Sequence, residues 1–308
     1  MDSTLLLIQL LNGAQYGVLL FLIAAGLTLV FGVMGFINLA HGVQYMIGAY
    51  LTFMFFGLTG NFFTALLLGL ITALLLGLLL EMLIFRHLYD RDHLDQVLAT
   101  FGIILFVNEA VKVIWGPGTL TIPTPEILSA SLQLTDNLLY PVYRLSLIVV
   151  GIIVAAGLYV IVTRTRVGML IRAGATNAEM VSALGVNIRR LFTIVFGFGA
   201  MLAGFAGALA APVFTIEPGM GDNLLIVAFV VIVIGGIGSI RGAFVAALLV
   251  GLIDTLGRSL ATDVMHLFFN PSAANQIGPS LASMLIYIFM AAVLFFRPQG
   301  LFPAKGAA

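Results

Sequence analysis

The chain has 308 residues, of which 61% are hydrophobic and 8% charged, and its thirteen basic and thirteen acidic side chains cancel. A water-soluble domain carries about a quarter charged residues, so an ordinary globular protein is excluded, and the neutral balance argues against nucleic acid as a partner. Cysteine is absent, which removes disulfides, thiolate metal sites and cysteine nucleophiles.

Apolar stretches of the roughly 20 residues that cross a bilayer as a helix recur along the whole chain. In order they fall at 13–33, 36–57, 62–85, 97–115, 144–163, 191–212, 223–240, 243–261 and 281–297. The runs are continuous rather than alternating, which excludes a β-barrel. They predict an all-α fold, a polytopic transmembrane helical bundle of eight to nine segments forming one domain over 1–308. The span 36–57 is interrupted by Asn38, His41 and Gln44, and a glycine-rich break separates 223–240 from 243–261. No basic residue precedes Arg86, so the start of the chain does not read as a cleavable signal peptide.

The polar residues within and between these spans are the candidates for function. In FINLAHGVQYMIGAY, Asn38 and His41 stand three apart with Tyr45 at i+7, a spacing that puts all three on one helical face. Polar side chains at membrane depth are costly unless they face a cavity or a partner. Two readings stand: a translocation path lined by Asn38, His41 and Tyr45, or a hydrogen-bonded clamp between spans. Gly42 and Gly48 permit close approach or a break. His41 has no second histidine or carboxylate at ligand spacing, and His87 and His93 lie in a loop, so no metal site is expected. Glu81, a turn before Arg86, is expected to reach the membrane interface.

Further along, Glu109 and Lys112 are an i, i+3 pair beside Asn108, and Asp254 and Arg258 an i, i+4 pair. Each reads as a self-neutralising pair, with a solute gate as the sharper option. The segment 116–143 carries Pro117, Pro123, Pro125 and Pro141, which forbid a long helix and make it a sizeable loop. Glu217, Pro218, Gly219 and Asp222 lie in a second loop on the same side. Ala200, Gly204 and Ala208 form a small-x-x-x-small line that predicts close packing. Gly235, Gly236, Gly238 and Gly242 lack the Lys-Ser/Thr of a phosphate loop and follow no βα unit, so they predict a tight structural turn and no nucleotide or other cofactor.

The segment 164–190 is the polar island of the chain, with Arg164, Arg166, Arg172, Arg189 and Arg190. Asn177 is placed to cap a helix starting at Ala178, and Gly185 to stop it. That short helix carries Met180, Val181 and Leu184 as an apolar edge, suited to docking in a groove on another protein. The plainer alternative is a loop obeying the positive-inside rule. If this island, the 86–96 loop, the 238–242 turn and the tail share a side, they hold ten of the thirteen basic residues. That side is then cytoplasmic, the C-terminus with it, and nine crossings put the N-terminus outside.

Several motifs carry a resemblance. The order Gly168, Arg172, Ala173, Glu179, Ala183, Gly185, Asn187 resembles the coupling segment of ABC importer permeases. GLTLVFGVMGFINLAHGVQYMIGAY (26–50), ATFG (99–102), VIVIGGIGSIRGAFVAALLVG (231–251) and RPQGLF (297–302) are similar to signatures of the branched-chain amino acid permease family. The resemblance covers essentially the whole chain. It implies a permease subunit of a bacterial inner-membrane importer, with no catalysis of its own. Its partners would be a second homologous permease, two ATP-binding cassette ATPases docking around Gly168, Arg172, Ala173, Glu179, Ala183 and Gly185, and a periplasmic solute-binding protein. The family includes permeases for urea, amides and aromatic acids, so the motifs leave the solute open. A stand-alone channel or secondary transporter would need coupling carboxylates or a filter at mid-membrane, where Asn38 and His41 are the candidates. A membrane-embedded enzyme using His41 as base lacks a paired nucleophile.

Overall fold

The computed structural model describes residues 3–135 and 138–303; Lys305, counted above with the basic tail, lies outside them. The described helices are α1 (Ser3–Met34), α2 (His41–Thr59), α3 (Phe62–Leu83), α4 (His93–Trp115), α5 (Val142–Arg164), α6 (Arg166–Thr176), α7 (Ala178–Ala183), α8 (Ile188–Ala210), α9 (Met220–Gly235), α10 (Ile240–Met265) and α11 (Pro271–Phe296). A short antiparallel hairpin, β1 (Ser131–Thr135) with β2 (Leu138–Pro141), lies in the 116–143 loop. The fold is thus the expected all-α membrane bundle. Eight helices are long and apolar enough to cross a membrane (α1 to α5, α8, α10 and α11), while α9 has 16 residues and falls short.

Helix α1 is the axis of the bundle. Its 32 residues extend about 48 Å, well beyond the expected span. Leu20, Phe21, Leu22, Ile23, Ala24 and Ala25 have no solvent exposure. A helix apolar on every side belongs in the middle of a bundle, and α10, α8, α5 and α9 pack around it. The outward faces of α3, α4, α5 and α11 show large apolar side chains such as Leu67, Phe106, Ile153 and Phe295, as lipid contact requires.

Lipid tails are as apolar as leucine, so burial alone does not hold membrane helices together; close backbone contact does. The Ala200–Gly204–Ala208 line of α8 supplies that contact. Gly204 lies against Gly48 of α2, and a Cβ placed on it would stand 2.7 Å from the Cβ of Ala73 in α3. A Cβ on Gly26 of α1 would stand 2.6 Å from the carbonyl oxygen of Gly199, and one on Gly32 would stand 2.6 Å from the Cα of Gly238.

Helix directions alternate, so the connections collect on two faces. One face holds 84–92, the α6–α7 island, the 236–239 turn and the 297–303 tail. The other holds the hairpin loop and 211–219, joined by a bridge between Leu120 and Ile216. Several boundaries differ from expectation. Helix α11 starts at Pro271 and runs through Pro279 rather than beginning at 281. Asn270 caps its first turn, accepting from the Ala273 amide at 2.8 Å, and proline is tolerated inside membrane helices because neighbouring groups take up the freed carbonyl. Glu81 does not reach solvent; it is fully buried within the protein.

Replacing Gly48 with leucine is expected to lower the melting temperature of the detergent-solubilised protein, since overpacking costs about 1–3 kcal/mol. Gly57→Leu, on the same helix with no atom within 4 Å of an added Cβ, should leave it unchanged. Equal melting temperatures would contradict the glycine-mediated α2–α8 contact.

Candidate functional site

The expected helix over 36–57 does not begin at 36. Gly35 adopts φ +63 and ends α1, and residues 35–38 are non-helical, with a turn at 39–40 before α2 starts at His41. Asn38 therefore lies outside the helix that carries His41 and Tyr45, and the common helical face expected for the three does not form. All three are nevertheless buried, at 0%, 0% and 2% exposure. The His41 Nε2 stands 3.0 Å from the Ile23 carbonyl oxygen. Ile23 lies eleven residues before the end of α1, about 16 Å along the helix. The 35–40 segment thus re-enters the bundle beside α1, and α2 starts at depth.

Non-helical backbone at membrane depth must be partnered within the protein. The Ile37 amide donates to Gln96 Oε1 at 3.2 Å, and Gln96 Nε2 donates to the carbonyls of Leu88 and Arg91. Gln96 thus pins the re-entrant segment to the start of α4. Among the described residues, Asn38 Oδ1 and Nδ2, Gln44 Oε1 and Nε2, and His41 Nδ1 are buried with no hydrogen-bond partner in the protein. Five polar atoms without partners within seven residues of chain are costly. Gly42, beside them, packs backbone to backbone on Gly221. Helix α9 therefore starts next to α2, and Asn108 ties it there. The Asn108 side chain donates to Asp222 at 3.2 Å and accepts from the Gly219 amide at 3.1 Å.

Next to this polar cluster, around Phe36, lies a set of packed rings. Phe36 contacts Phe85 and Tyr89, Phe85 contacts Phe196, and Tyr89 contacts Phe192, with centroids 4.8–5.6 Å apart. Behind them Glu81 pairs with Arg86 at 3.2 Å and accepts from the Tyr89 hydroxyl at 3.1 Å, while Arg86 also donates to Thr193 of α8. Burial first, and then the Glu81 carboxylate, pushes the Tyr89 hydroxyl far above its ordinary range, so it remains a donor. This latch joins the ends of α3 and α8.

On that face the polar island folds as two helices. Thr165 caps α6 through the Gly168 amide, and Asn177 caps α7 through the Met180 amide at 2.8 Å. Gly185 at φ +88 ends α7, with its amide on the Ser182 carbonyl and the Val186 amide on that of Val181, a Schellman stop. Val181 faces inward at 7% exposure, while Met180 and Leu184 stand out at 59% and 77%. Glu179, Ala183, Gly185 and Arg172 are exposed, Ala173 is half-buried, and Gly168 is buried in the tight α5–α6 turn. Arg172 donates to the Val162 carbonyl at the end of α5. Gly174 lies against Leu191 of α8 and Val33 of α1, so the island rests on the ends of the helices that frame the break.

The glycine run makes the turn expected of it. Gly235 and Gly242 pack backbone to backbone across it, and Gly236 and Gly238 have positive φ. The RPQGLF tail returns to it: the Leu301 and Phe302 amides donate to the carbonyls of Ile234 and Gly235 at 2.8 and 3.0 Å. Glu109 and Lys112 form the expected exposed pair at 2.6 Å, and Asp254 and Arg258 a two-pronged one at 2.8 and 2.9 Å. Gln44 was visible as a polar interruption, but Gln96 read as the end of a loop, and only the folded chain shows what it holds.

A multi-pass helical bundle with a broken helix at a buried cluster of polar side chains has the architecture of a membrane transport protein. The chain belongs to the permease family described as branched-chain amino acid transport system / permease component, whose model matches residues 9–294. It is 30% identical over 305 residues to the high-affinity branched-chain amino acid transport system permease protein BraD of Pseudomonas aeruginosa, covering 95% of this chain and 94% of that one. It is also 30% identical over 268 residues to LivH, of the same description, from Escherichia coli and Salmonella typhimurium, covering 80% of this chain and 84% of theirs. No solved structure matches it.

Two of the polar residues there, Asn38 and His41, are expected to behave differently on truncation. Asn38→Ala removes a side chain with no partner and should shift stability by no more than about 1 kcal/mol, with transport lost. His41→Ala removes the Ile23 contact and the packing against Gly26, and should cost about 2 kcal/mol or more. Thermal unfolding and uptake measured on both variants check this; an equal loss of stability would make Asn38 a clamp.

Proposed function

We propose that the chain is the path-forming subunit of an ATP-driven importer for branched-chain amino acids in a bacterial cytoplasmic membrane. It acts as a single permease domain beside a second homologous permease. The observation that carries this reading is the α6–α7 pair: capped, stopped, exposed along Met180 and Leu184, and seated on the last turn of α1 and the first of α8. A soluble ATPase gripping that edge through Glu179, Ala183 and Gly185 moves Val33 and Leu191 through Gly174. Arg172 and Ala173 anchor the pair to α5, and Gly168 lets the α5–α6 turn close tightly.

The α6–α7 face, richest in arginine, is the cytoplasmic one and the hairpin face the outer one, which puts the N-terminus outside and the C-terminus inside. Solute released by a periplasmic binding protein enters from the hairpin face and meets Asn38, His41 and Gln44 before the aromatic closure. ATP binding in two motor subunits pulls on the island and shifts the ends of α1 and α8, which alternates access between the two faces. Such a shift follows only from differential binding to the two states. Gly42 and Tyr45 let α2 lie against α9 and α8 in that motion, while Gly235, Gly236, Gly238 and Gly242 keep the α9–α10 turn and the tail as one rigid unit.

Purification of the tagged chain from mildly solubilised membranes tests this. A second hydrophobic subunit and ATP-hydrolysing chains should co-purify, and Glu179→Arg or Leu184→Asp should lower the recovered ATPase about tenfold or more. A stable chain recovered at full yield without ATPase would indicate a stand-alone channel or secondary transporter.

A further inference from the structure

On the hairpin side of the bundle a cleft of about 410 Å³ opens among residues 12–16 of α1, the first turn of α5, the 211–219 segment that follows α8, and residues 254–258 of α10. Asp254 lies fourteen residues into α10, about 21 Å from its start, and its side chain is only 10% exposed. Ionisable groups at such depth point to function by default. A self-neutralising pair explains Asp254 and Arg258 alone. It does not explain why Arg144 lines the same cleft, since among the described residues no carboxylate pairs with it.

Arg144 is held in place. Its Nη1 donates to Asn12 Oδ1 at 3.1 Å, and the Tyr140 hydroxyl donates to the same oxygen at 3.0 Å. Arg258 is held by both oxygens of Asp254. The nearly buried Gln15 lines the polar side, and Val213 and Phe214 form an apolar wall. One cleft thus joins an unpaired guanidinium, a fixed carboxylate beside a second guanidinium, and an apolar surface, in a volume typical of small-molecule sites.

We propose that this cleft is an outer binding subsite for the zwitterion of an aliphatic α-amino acid, a deepening that rests on the importer reading above. Arg144 takes the α-carboxylate, a charge-assisted contact that guanidinium geometry favours. Asp254 accepts from the α-ammonium, with Thr255 beside it on α10. The aliphatic side chain lies against Val213 and Phe214. A solute without the carboxylate leaves Arg144 without a counter-charge and is discriminated against, while one without the ammonium forgoes the Asp254 contact. The subsite receives amino acid at the outer end of α1 before it reaches the uncharged pocket at Asn38.

The absence of cysteine from the chain allows a direct test. Thr255→Cys, and separately Gly57→Cys on an exposed face of α2, are introduced into the complex with its partner subunits in lipid nanodiscs. Labelling by a charged methanethiosulfonate reagent is then timed. Millimolar leucine is expected to slow labelling at Thr255→Cys and not at Gly57→Cys. Leucinamide, which lacks the carboxylate, should give no protection, and 4-methylpentanoate, which lacks the ammonium, weaker protection than leucine. Adding Arg144→Gln should raise the leucine concentration for half-protection by about tenfold or more, and Arg144→Lys should restore part of it. A complex that takes up leucine while Thr255→Cys reacts at the same rate with and without it overturns the cleft assignment alone, as does equal protection by all three compounds. A complex that takes up no branched-chain amino acid overturns the importer reading and this proposal together.

Discussion

A chain that leaves the helix inside a bilayer must find a partner within the protein for every peptide group it frees. The re-entrant segment 35–40 is where this protein meets that requirement, and much of the bundle is arranged around it. The Ile37 amide is taken by Gln96, whose own amide group bridges the carbonyls that close the 84–92 connection. His41 reaches back to a carbonyl of α1. These contacts need α1 fully enclosed, α4 entering beside it, and α2 starting at depth. The segment is therefore fixed by its neighbours and has little preference of its own.

The same demand explains the distribution of glycine. Helices α2 and α9 both begin inside the bundle and must approach to backbone contact at Gly42 and Gly221, while α8 lies close enough to α2 and α3 that Gly48, Gly204 and Gly77 leave no room for side chains. Interfaces of this kind slide or hold as units, because small surfaces offer no interdigitating side chains to be repacked one at a time. The α6–α7 pair touches this system where α1 and α8 end, next to the Glu81–Arg86 latch and the rings around Phe36. Glu81 is fully buried while Arg86 is 38% exposed, so the pair supplies a counter-charge to a carboxylate that would be costly to bury alone.

Much of this was legible in the sequence, and the reasons differ by element. The spans follow from continuous apolar runs, which depend on nothing but length and hydropathy. The α7 caps were legible because Asn177 and Gly185 act through their own backbone. The break at 35–40 was not, although Asn38, His41 and Gln44 were visible. Helical spacing was assumed from residue 36 onward, and nothing local announces that Asn38 stands outside the helix. Gln96 was lost because its partners lie up to 59 residues away. Glu81 was placed at an interface because a glutamate near an arginine usually snorkels; its burial depends on Tyr89 and on α8 closing over it. The β-hairpin at 131–141 was hidden in a loop read only through its prolines.

Charge in the bundle is kept away from the helix break. Ion pairs stand at Asp254–Arg258 in α10, with Arg144 toward the hairpin side, and at Glu81–Arg86 toward the other, while the break itself carries the amides of Asn38 and Gln44 and the imidazole of His41. A fixed charge at the break would hold a zwitterion more firmly there, since electrostatic attraction strengthens as water is excluded. Neutral groups whose hydrogen bonds are not committed within the fold can exchange with those of a passing ammonium or carboxylate at little net cost, because each bond formed replaces one given up. In the proposed import path, the five atoms without partners at Asn38, His41 and Gln44 would then serve as a binding place kept weak enough to leave.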